Sequence, residues 1–211
     1  MQILGTIAGI WRYPVKSLAA EALEIVQVLE DGIPGDRAQA LVVRSGHARI
    51  GKPYRGKENN MLHLSASAHE GQQHALARHV AVDIADDALH YFDAAPISII
   101  FDRWLHEASE LVGYALEPLR YRPNFFARAD AASTMGENDL VGATVRIGEV
   151  VLRVTKPIGR CVTTTYDLRS GESDPNVLRQ VAQHRQNFLG IYCDVLKTGT
   201  VALTDSIVQE G

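Results

Sequence analysis

The chain has 211 residues, of which 46% are hydrophobic and 22% charged, and its formal net charge is −4. This balance is typical of a globular protein with one large or two small domains, and it excludes a disordered or fibrous chain. The two cysteines are too few for a disulfide scaffold, a four-cysteine zinc site or an all-cysteine iron–sulfur cluster.

Composition also indicates the compartment and the partners. No apolar run approaches the ~18 residues of a membrane helix, and the first residues lack the basic start of a signal peptide. We therefore expect a cytoplasmic protein without a membrane partner. The negative net charge argues against nucleic acid as a partner.

Short strand-like segments broken by Gly, Pro, Asp and Asn dominate the chain. The segments predicted as strands are 2–12, 22–30, 38–45, 80–84, 89–92, 97–101, 144–147, 150–155, 189–196, 200–203 and 206–209. The segments 80–84 and 89–92 flank Asp86 and Asp87, which predicts a hairpin.

Three segments have helical features. Apolar residues recur at spacings of three and four over 102–115, and the segment 175–186 begins with the capping pair Asp174-Pro175. The segment 67–78 is a weaker helix because Gly71 lies inside it. Many strands and few helices predict a mainly β fold, a β-barrel with peripheral helices, with a boundary near residue 96.

Turns along the chain present polar residues that could bind an anion. Pro14 ends an apolar strand and projects Lys16 and Ser17, and Gly35-Asp36-Arg37 is a second such turn. In Arg122-Pro123-Asn124, the proline predicts an extended Arg122 that presents a cation beside an amide. In isolation, each of the two turns is more typical of an ordinary turn than of a site, and the alternative for Arg122-Pro123-Asn124 is a strand end with exposed polar residues.

Basic residues cluster in two places, at 44–57 and at Arg120, Arg122 and Arg128. Arginines interleaved with glycines could hold a phosphate, because backbone N–H groups can approach it closely. The alternative for 44–57 is a solvated loop. Nucleic-acid binding through this segment is disfavoured by its sparse aromatics.

The stretch 156–167 carries Cys161 directly after Arg160. A guanidinium near a thiol favours the thiolate, which ligates soft metals. If 160–165 is extended, Cys161 and Arg160 point to opposite faces, so adjacency alone does not bring them into contact. The alternative, which composition alone favours, is a buried structural cysteine, and Cys193 in an apolar strand fits that description.

Taken in order along the chain, these motifs resemble the MOSC superfamily, the C-terminal domains of molybdenum-cofactor sulfurases. The motifs that carry the resemblance are Tyr13-Pro-Val-Lys-Ser17, Gly35-Asp-Arg37, Arg122-Pro-Asn124, Glu137…Gly142, Arg160-Cys161-x-x-Thr164-x-x-Asp167, Phe188-Leu-Gly-Ile-Tyr192 and Gly199-x-Val201…Asp205-x-Ile207. The first motif is similar to the N-terminal β-barrel domain of the amidoxime-reducing and YcbX-like branch. The resemblance thus implies an N-terminal β domain at 1–95 and a MOSC β-barrel domain at 96–211.

The resemblance also implies a molybdopterin-type molybdenum cofactor, with Cys161 as the protein ligand to molybdenum. The matching residues implied to surround the cofactor are Lys16, Ser17, Arg37, Arg122, Asn124, Arg160 and Thr164. Asp167 is a candidate catalytic partner near the metal, although the residues slightly favour a turn acceptor.

The leading hypothesis from this resemblance is a molybdenum-dependent oxidoreductase that reduces small N-hydroxylated compounds. Two cysteines cannot hold an iron–sulfur cluster in this chain, so electrons would come from a separate ferredoxin- or flavin-type protein. One alternative is sulfur transfer through a Cys161 persulfide. Another is a non-catalytic carrier of the cofactor.

Overall fold

The computed structural model describes residues 1–55, 60–86, 91 and 94–210. Its strands are β1 (Gln2–Arg12), β2 (Glu21–Leu23), β3 (Ile25–Val28), β4 (Ala40–Ser45), β5 (Ala81–Ala85), β6 (Ile97–Phe101), β7 (Phe125–Ala129), β8 (Thr144–Ile147), β9 (Val150–Gly159), β10 (Phe188–Lys197), β11 (Gly199–Ala202) and β12 (Ser206–Glu210). The α-helices of the described residues are α1 (Ala68–Leu76), α2 (Asp102–Val112) and α3 (Pro175–His184). Two short 3-10 helices cover Pro118–Tyr121 and Val162–Thr165. The predicted mainly β fold is confirmed.

Seven strands form a closed barrel. They follow the order β12-β8-β9-β10-β6-β7-β1, and the pairing of β1 with β12 closes the circle. The β6–β7 pairing is parallel and the other barrel pairings are antiparallel. Closure leaves the barrel without a free edge. Strand β2 adds to the far end of β1.

The barrel is filled by a large apolar core. Inward residues from β1, β6, β8, β9 and β10 contribute, among them the fully buried Leu4, Ile97 and Leu152. Strand β1 lies before the predicted boundary near residue 96, yet it pairs with β7 and β12 beyond it. The division of the chain at that position stays a prediction.

A smaller unit lies beside the barrel. The antiparallel pair β4–β5 packs against α1 around its own core, which includes Leu18, Leu41 and Met61. Gly71 in α1 lets the helix approach this core closely, because a Cβ there would lie 2.6 Å from Leu41 Cδ1 and that side chain would have to move. Strand β5 has β4 as its pairing partner. The predicted partner segment 89–92 lies mostly outside the described residues.

The helix predictions hold at the N-termini. Helix α3 begins at Pro175, and the Asp174 carboxylate accepts the N–H of Asn176 at 2.9 Å. Helix α2 begins at Asp102 and ends before Gly113, whose φ of 93° reverses the chain. Both pack on the outside of the barrel through a third apolar cluster.

Candidate functional site

A cavity of about 380 Å³ opens where β1, β9 and the segment before β7 come to the same side of the protein. Its lining residues are Lys16, Ser17, Arg37, Arg55, Leu62, Ser98, Arg120, Tyr121, Arg122, Ile158, Gly159, Arg160, Cys161, Thr163, Thr164 and Tyr192. The lining therefore contains six Lys or Arg side chains and no Asp or Glu among the described residues. It unites seven of the nine predicted site residues, leaving out Asn124 and Asp167.

The chain after β1 supplies Lys16 and Ser17. The Lys16 backbone N–H donates to the carbonyl of Gln39 at 2.8 Å, and its Nζ donates to the carbonyl of Tyr91 at 2.6 Å. Ser17 has a φ of 72°, a left-handed conformation that is costly for a residue with a side chain. These bonds hold a strained turn at the edge of the cavity.

Tyr13 organises the two arginines beside this turn. The guanidinium carbons of Arg37 and Arg122 lie 4.6 Å and 4.2 Å from the centre of its ring. Its hydroxyl donates to the carbonyl of Pro123 at 2.9 Å, and burial raises its pKa well above the ordinary value. One neutral aromatic ring thus contacts both cations of the wall.

Asn124 and Asp36 lie behind this wall and are both buried. The Asp36 carboxylate accepts the N–H of Tyr13 at 2.8 Å and the amide of Asn124 at 3.1 Å, and it pairs with Arg37. The Asn124 oxygen in turn accepts the hydroxyl of Ser98 at 2.9 Å. Asn124 therefore positions the cationic wall from behind, and it does not line the cavity.

Arg122 departs from the extended conformation predicted by Pro123. Its φ of 56° and ψ of 48° are left-handed, because it caps the 3-10 helix with an N–H bond to Leu119 at 3.1 Å. Arg37 also donates to the Arg122 carbonyl at 3.1 Å, and Arg122 Nη1 donates to the carbonyl of Leu18. These contacts override the local preference set by proline.

Arg160 braces the floor of the cavity. Its Nε donates to the carbonyl of Leu189 at 2.8 Å and its Nη1 to that of Tyr121 at 2.9 Å. Burial lowers the pKa of Arg160 to about 10. A cation that is desolvated in this way is stabilised by any anion that enters the cavity.

Arg120 braces the neighbouring wall in a similar manner. It donates through Nη1 to the carbonyls of Thr164, Thr165 and Tyr166 at 3.3, 3.1 and 2.8 Å. These bonds fix the 3-10 helix that carries Thr164. The segment 160–165 is not extended, because β9 ends at Gly159 and the chain turns into this helix.

Cys161 stands at that turn and is exposed, whereas Cys193 is fully buried in β10. The Cys161 thiol donates to the Thr163 hydroxyl at 3.4 Å. Burial lowers the pKa of Arg55 and the neighbouring charge of Arg49 lowers it further, while the charge of a Cys161 thiolate raises it. Cys161 and Arg55 thus both line the cavity.

Asp167 lies in a turn outside the lining. Its Oδ1 accepts the N–H groups of Ser170 at 2.8 Å and Arg169 at 2.9 Å, which lowers the pKa of the carboxyl. Its other oxygen lies 3.6 Å from Arg120 Nη2. These contacts are those of a turn acceptor that also pairs with a bracing arginine.

Several lining residues escaped the sequence prediction. Arg55 and Arg120 appeared only within basic clusters. Tyr13, which contacts two lining arginines, appeared only as part of a turn. Tyr192 appeared only as the end of a family motif. Leu62 carries no sequence signal, because the long-range packing that brings it to the cavity leaves no local pattern.

Within the described ranges, no cluster of three or more His, Cys, Asp or Glu side chains could hold a metal ion. A metal held at Cys161 would need its remaining ligands from a bound cofactor. In the same part of the chain, none of the helices has the length and apolar character required to cross a membrane.

The model of the MOSC domain family matches residues 86–208 of the chain. The YuaD protein from Bacillus subtilis has a similar fold, with a TM-score of 0.60 and 16% identity over 97% of this chain and 94% of that one. YiiM from Escherichia coli is 13% identical over 95% of this chain and 70% of that one, with a TM-score of 0.47. No curated protein matches the chain.

Proposed function

The chain belongs to the MOSC domain family, and on that premise we propose that it is a molybdenum-cofactor oxidoreductase that reduces small N-hydroxylated compounds. The observation that carries the proposal is the convergence of Lys16, Arg37, Arg122 and Cys161 on one cavity. These residues are far apart in sequence and come from four separate turns.

The lining fits the chemistry of the cofactor. A molybdopterin carries an anionic phosphate ester and sulfur ligands for its metal, so it requires cations, polar donors and an additional soft ligand. The cavity supplies Lys16, Arg37 and Arg122 on one wall and an exposed thiol at Cys161. Its volume of about 380 Å³ falls in the range of small-molecule sites, roughly 300–1,000 Å³.

Each part of the wall has a distinct role in this proposal. Arg37 and Arg122 are held against the Tyr13 ring, so their guanidinium groups are ordered before an anion arrives. Lys16 and Ser17 add donors at the edge, and Arg160 and Thr164 form the floor. Cys161 would ligate the metal. Asn124 would act by positioning through Asp36.

When bound, the cofactor supplies two-electron chemistry at the N–O bond of the substrate. The reduction consumes two electrons and two protons, breaks the N–O bond, and yields the N–H compound and water. The electrons would come from a separate ferredoxin- or flavin-type protein, because the two cysteines of the chain cannot hold a cluster. Asp167 is proposed only as a support of the Arg120 brace, through their 3.6 Å ion pair.

The test is turnover of benzamidoxime by protein purified from a host that makes the cofactor, with a reduced viologen as electron source. We expect benzamidine formation by the wild type and by Cys193→Ser, and none by Cys161→Ser. If cofactor-loaded wild type forms no benzamidine or other amine from a panel of N-hydroxylated compounds, the reductase proposal fails and a cofactor carrier becomes the better account.

Sulfur transfer is the second candidate, and the exposure of the Cys161 thiol favours it. In that reaction the Cys161 thiolate accepts the outer sulfur of a donor persulfide, whose own thiol leaves. Cyanide treatment after incubation with a persulfide donor would then release thiocyanate from the wild type but not from Cys161→Ser. A persulfide carrier needs no molybdenum, so metal analysis separates the two functions.

A further inference from the structure

A second cavity of about 320 Å³ lies against the first, and Arg55 lines both. Its other lining residues are Val43, His47, Ala48, Arg49, Pro53 and Tyr54. It therefore combines an apolar wall with two guanidinium groups, and its described lining contains no carboxylate.

The loop that forms this cavity is held in place by backbone hydrogen bonds. After β4 the chain doubles back, and the N–H of Val43 donates to the Lys52 carbonyl at 3.0 Å, while the N–H of Gly51 donates to the Val43 carbonyl at 2.8 Å. The N–H of Tyr54 then donates to the Leu41 carbonyl at 2.6 Å. The buried Tyr54 side chain anchors the loop in the core of the smaller unit. These contacts hold the backbone of the loop that carries Arg49 and Arg55.

Arg49 and Arg55 both line this second cavity. The charge of Arg49 lowers the pKa of Arg55, second only to burial. Two like charges held close together are stabilised when an anion binds between them. Arg44 on the same segment differs, because it pairs with Asp83 on β5 and does not line the cavity.

We propose that this second cavity is a substrate subsite for an anionic group, a carboxylate or a phosphate, on compounds whose reacting end lies at Cys161. The inference rests on the proposed function, since it names the substrate class of the same site. An apolar spacer on the substrate would lie along Val43, Ala48 and Pro53, and its anion would lie between Arg49 and Arg55. An anionic extension of the cofactor has the same chemistry and is distinguished by the experiment.

The experiment compares two probes, benzamidoxime with a para-carboxylate and its neutral para-carboxamide analogue. Their Kd values for the cofactor-loaded protein are measured by titration calorimetry, apart from any turnover. We expect the carboxylate to bind at least about tenfold more tightly to the wild type, a difference of about 1.4 kcal/mol. In Arg49→Gln the ratio of the two Kd values falls toward one. The matched control Arg44→Gln removes the same charge from the same segment and retains the wild-type ratio.

Equal Kd values for the two probes in the wild type, or an unchanged preference in Arg49→Gln, would overturn the subsite. Release of a nucleotide-bearing cofactor by Arg49→Gln, found by mass spectrometry, would assign the cavity to the cofactor and overturn the substrate assignment. A carboxylate preference without turnover leaves the subsite standing while the reductase proposal fails. Turnover without a preference for the carboxylate overturns the subsite and leaves the reductase proposal standing.

Discussion

Asp36 is the residue whose removal tests the structural account of the cationic wall. The carboxylate is 1% exposed and accepts from three donors: the Tyr13 N–H, the Asn124 amide and the Arg37 guanidinium. The substitution Asp36→Ala leaves all three without this acceptor. A small side chain also leaves no oxygen that could replace it.

The expected loss follows from these contacts. A buried donor without a partner costs about 1–3 kcal/mol, and removing one partner of a buried ion pair costs about 3–5 kcal/mol. Arg37 keeps its bond to the Arg122 carbonyl, and its side chain is 12% exposed, so part of its charge can be solvated. We therefore expect Asp36→Ala to lower the free energy of unfolding by about 3–4 kcal/mol.

The assay is reversible urea unfolding followed by circular dichroism, with Asp83→Ala as the control. Asp83 pairs with Arg44 on the surface, where the two side chains are 52% and 69% exposed, so its loss should cost at most about 1 kcal/mol. In the double variant with Asn124→Ala, the losses should be less than additive, because both residues share one network. A loss below about 1 kcal/mol for Asp36→Ala would refute the reasoning.

Three further predictions concern separate features. Arg122→Gln should lower the pterin content of the purified protein at least about tenfold, because it removes a charge-assisted contact. Arg128 is exposed and does not line the cavity, so Arg128→Gln should retain the wild-type pterin content. Equal pterin in all three proteins would contradict the proposed role of Arg122. Gly5→Ala should lower the free energy of unfolding in urea by about 1–3 kcal/mol, because a Cβ at this position would clash with the Arg128 carbonyl of β7. An unchanged unfolding midpoint would contradict this, because it would show that β1 and β7 accommodate the Cβ without cost. Burial raises the pKa of Cys193 above its ordinary value of about 9. Above that pH the thiol of the unfolded chain loses its proton, while the native thiol keeps it. Because the unfolded state then binds fewer protons, the free energy of unfolding falls as the pH rises. The unfolding free energy of the wild type should then fall more steeply above pH 9 than that of Cys193→Ala, by up to about 1.4 kcal/mol per pH unit, and parallel slopes would count against this reasoning.

The sequence predicted the periodic elements better than the closure of the barrel. Helices α2 and α3 begin where their stripes and caps indicated, at Asp102 and Pro175. Strand β7 was not predicted, although it completes the ring between β6 and β1. Barrel closure depends on pairings between strands far apart in sequence, and such pairings leave no local pattern.

For the site, the motif residues located the turns but not their conformation. Pro123 predicted an extended Arg122, whereas helix capping and contacts with Leu18 and Arg37 hold it left-handed. For 160–165 the sequence left the conformation open, and the Arg120 bonds to three successive carbonyls favour a 3-10 turn. At Arg122, therefore, tertiary hydrogen bonds outweigh the local propensity that Pro123 sets.

Metal analysis of the two cysteine variants tests the central claim most directly. Wild type, Cys161→Ala and Cys193→Ala are purified from the same cofactor-competent host, and molybdenum per chain is measured by mass spectrometry. We predict metal in the wild type and in Cys193→Ala, and its loss in Cys161→Ala, because only Cys161 presents a thiol to the cationic cavity. Equal molybdenum in all three proteins would contradict the account.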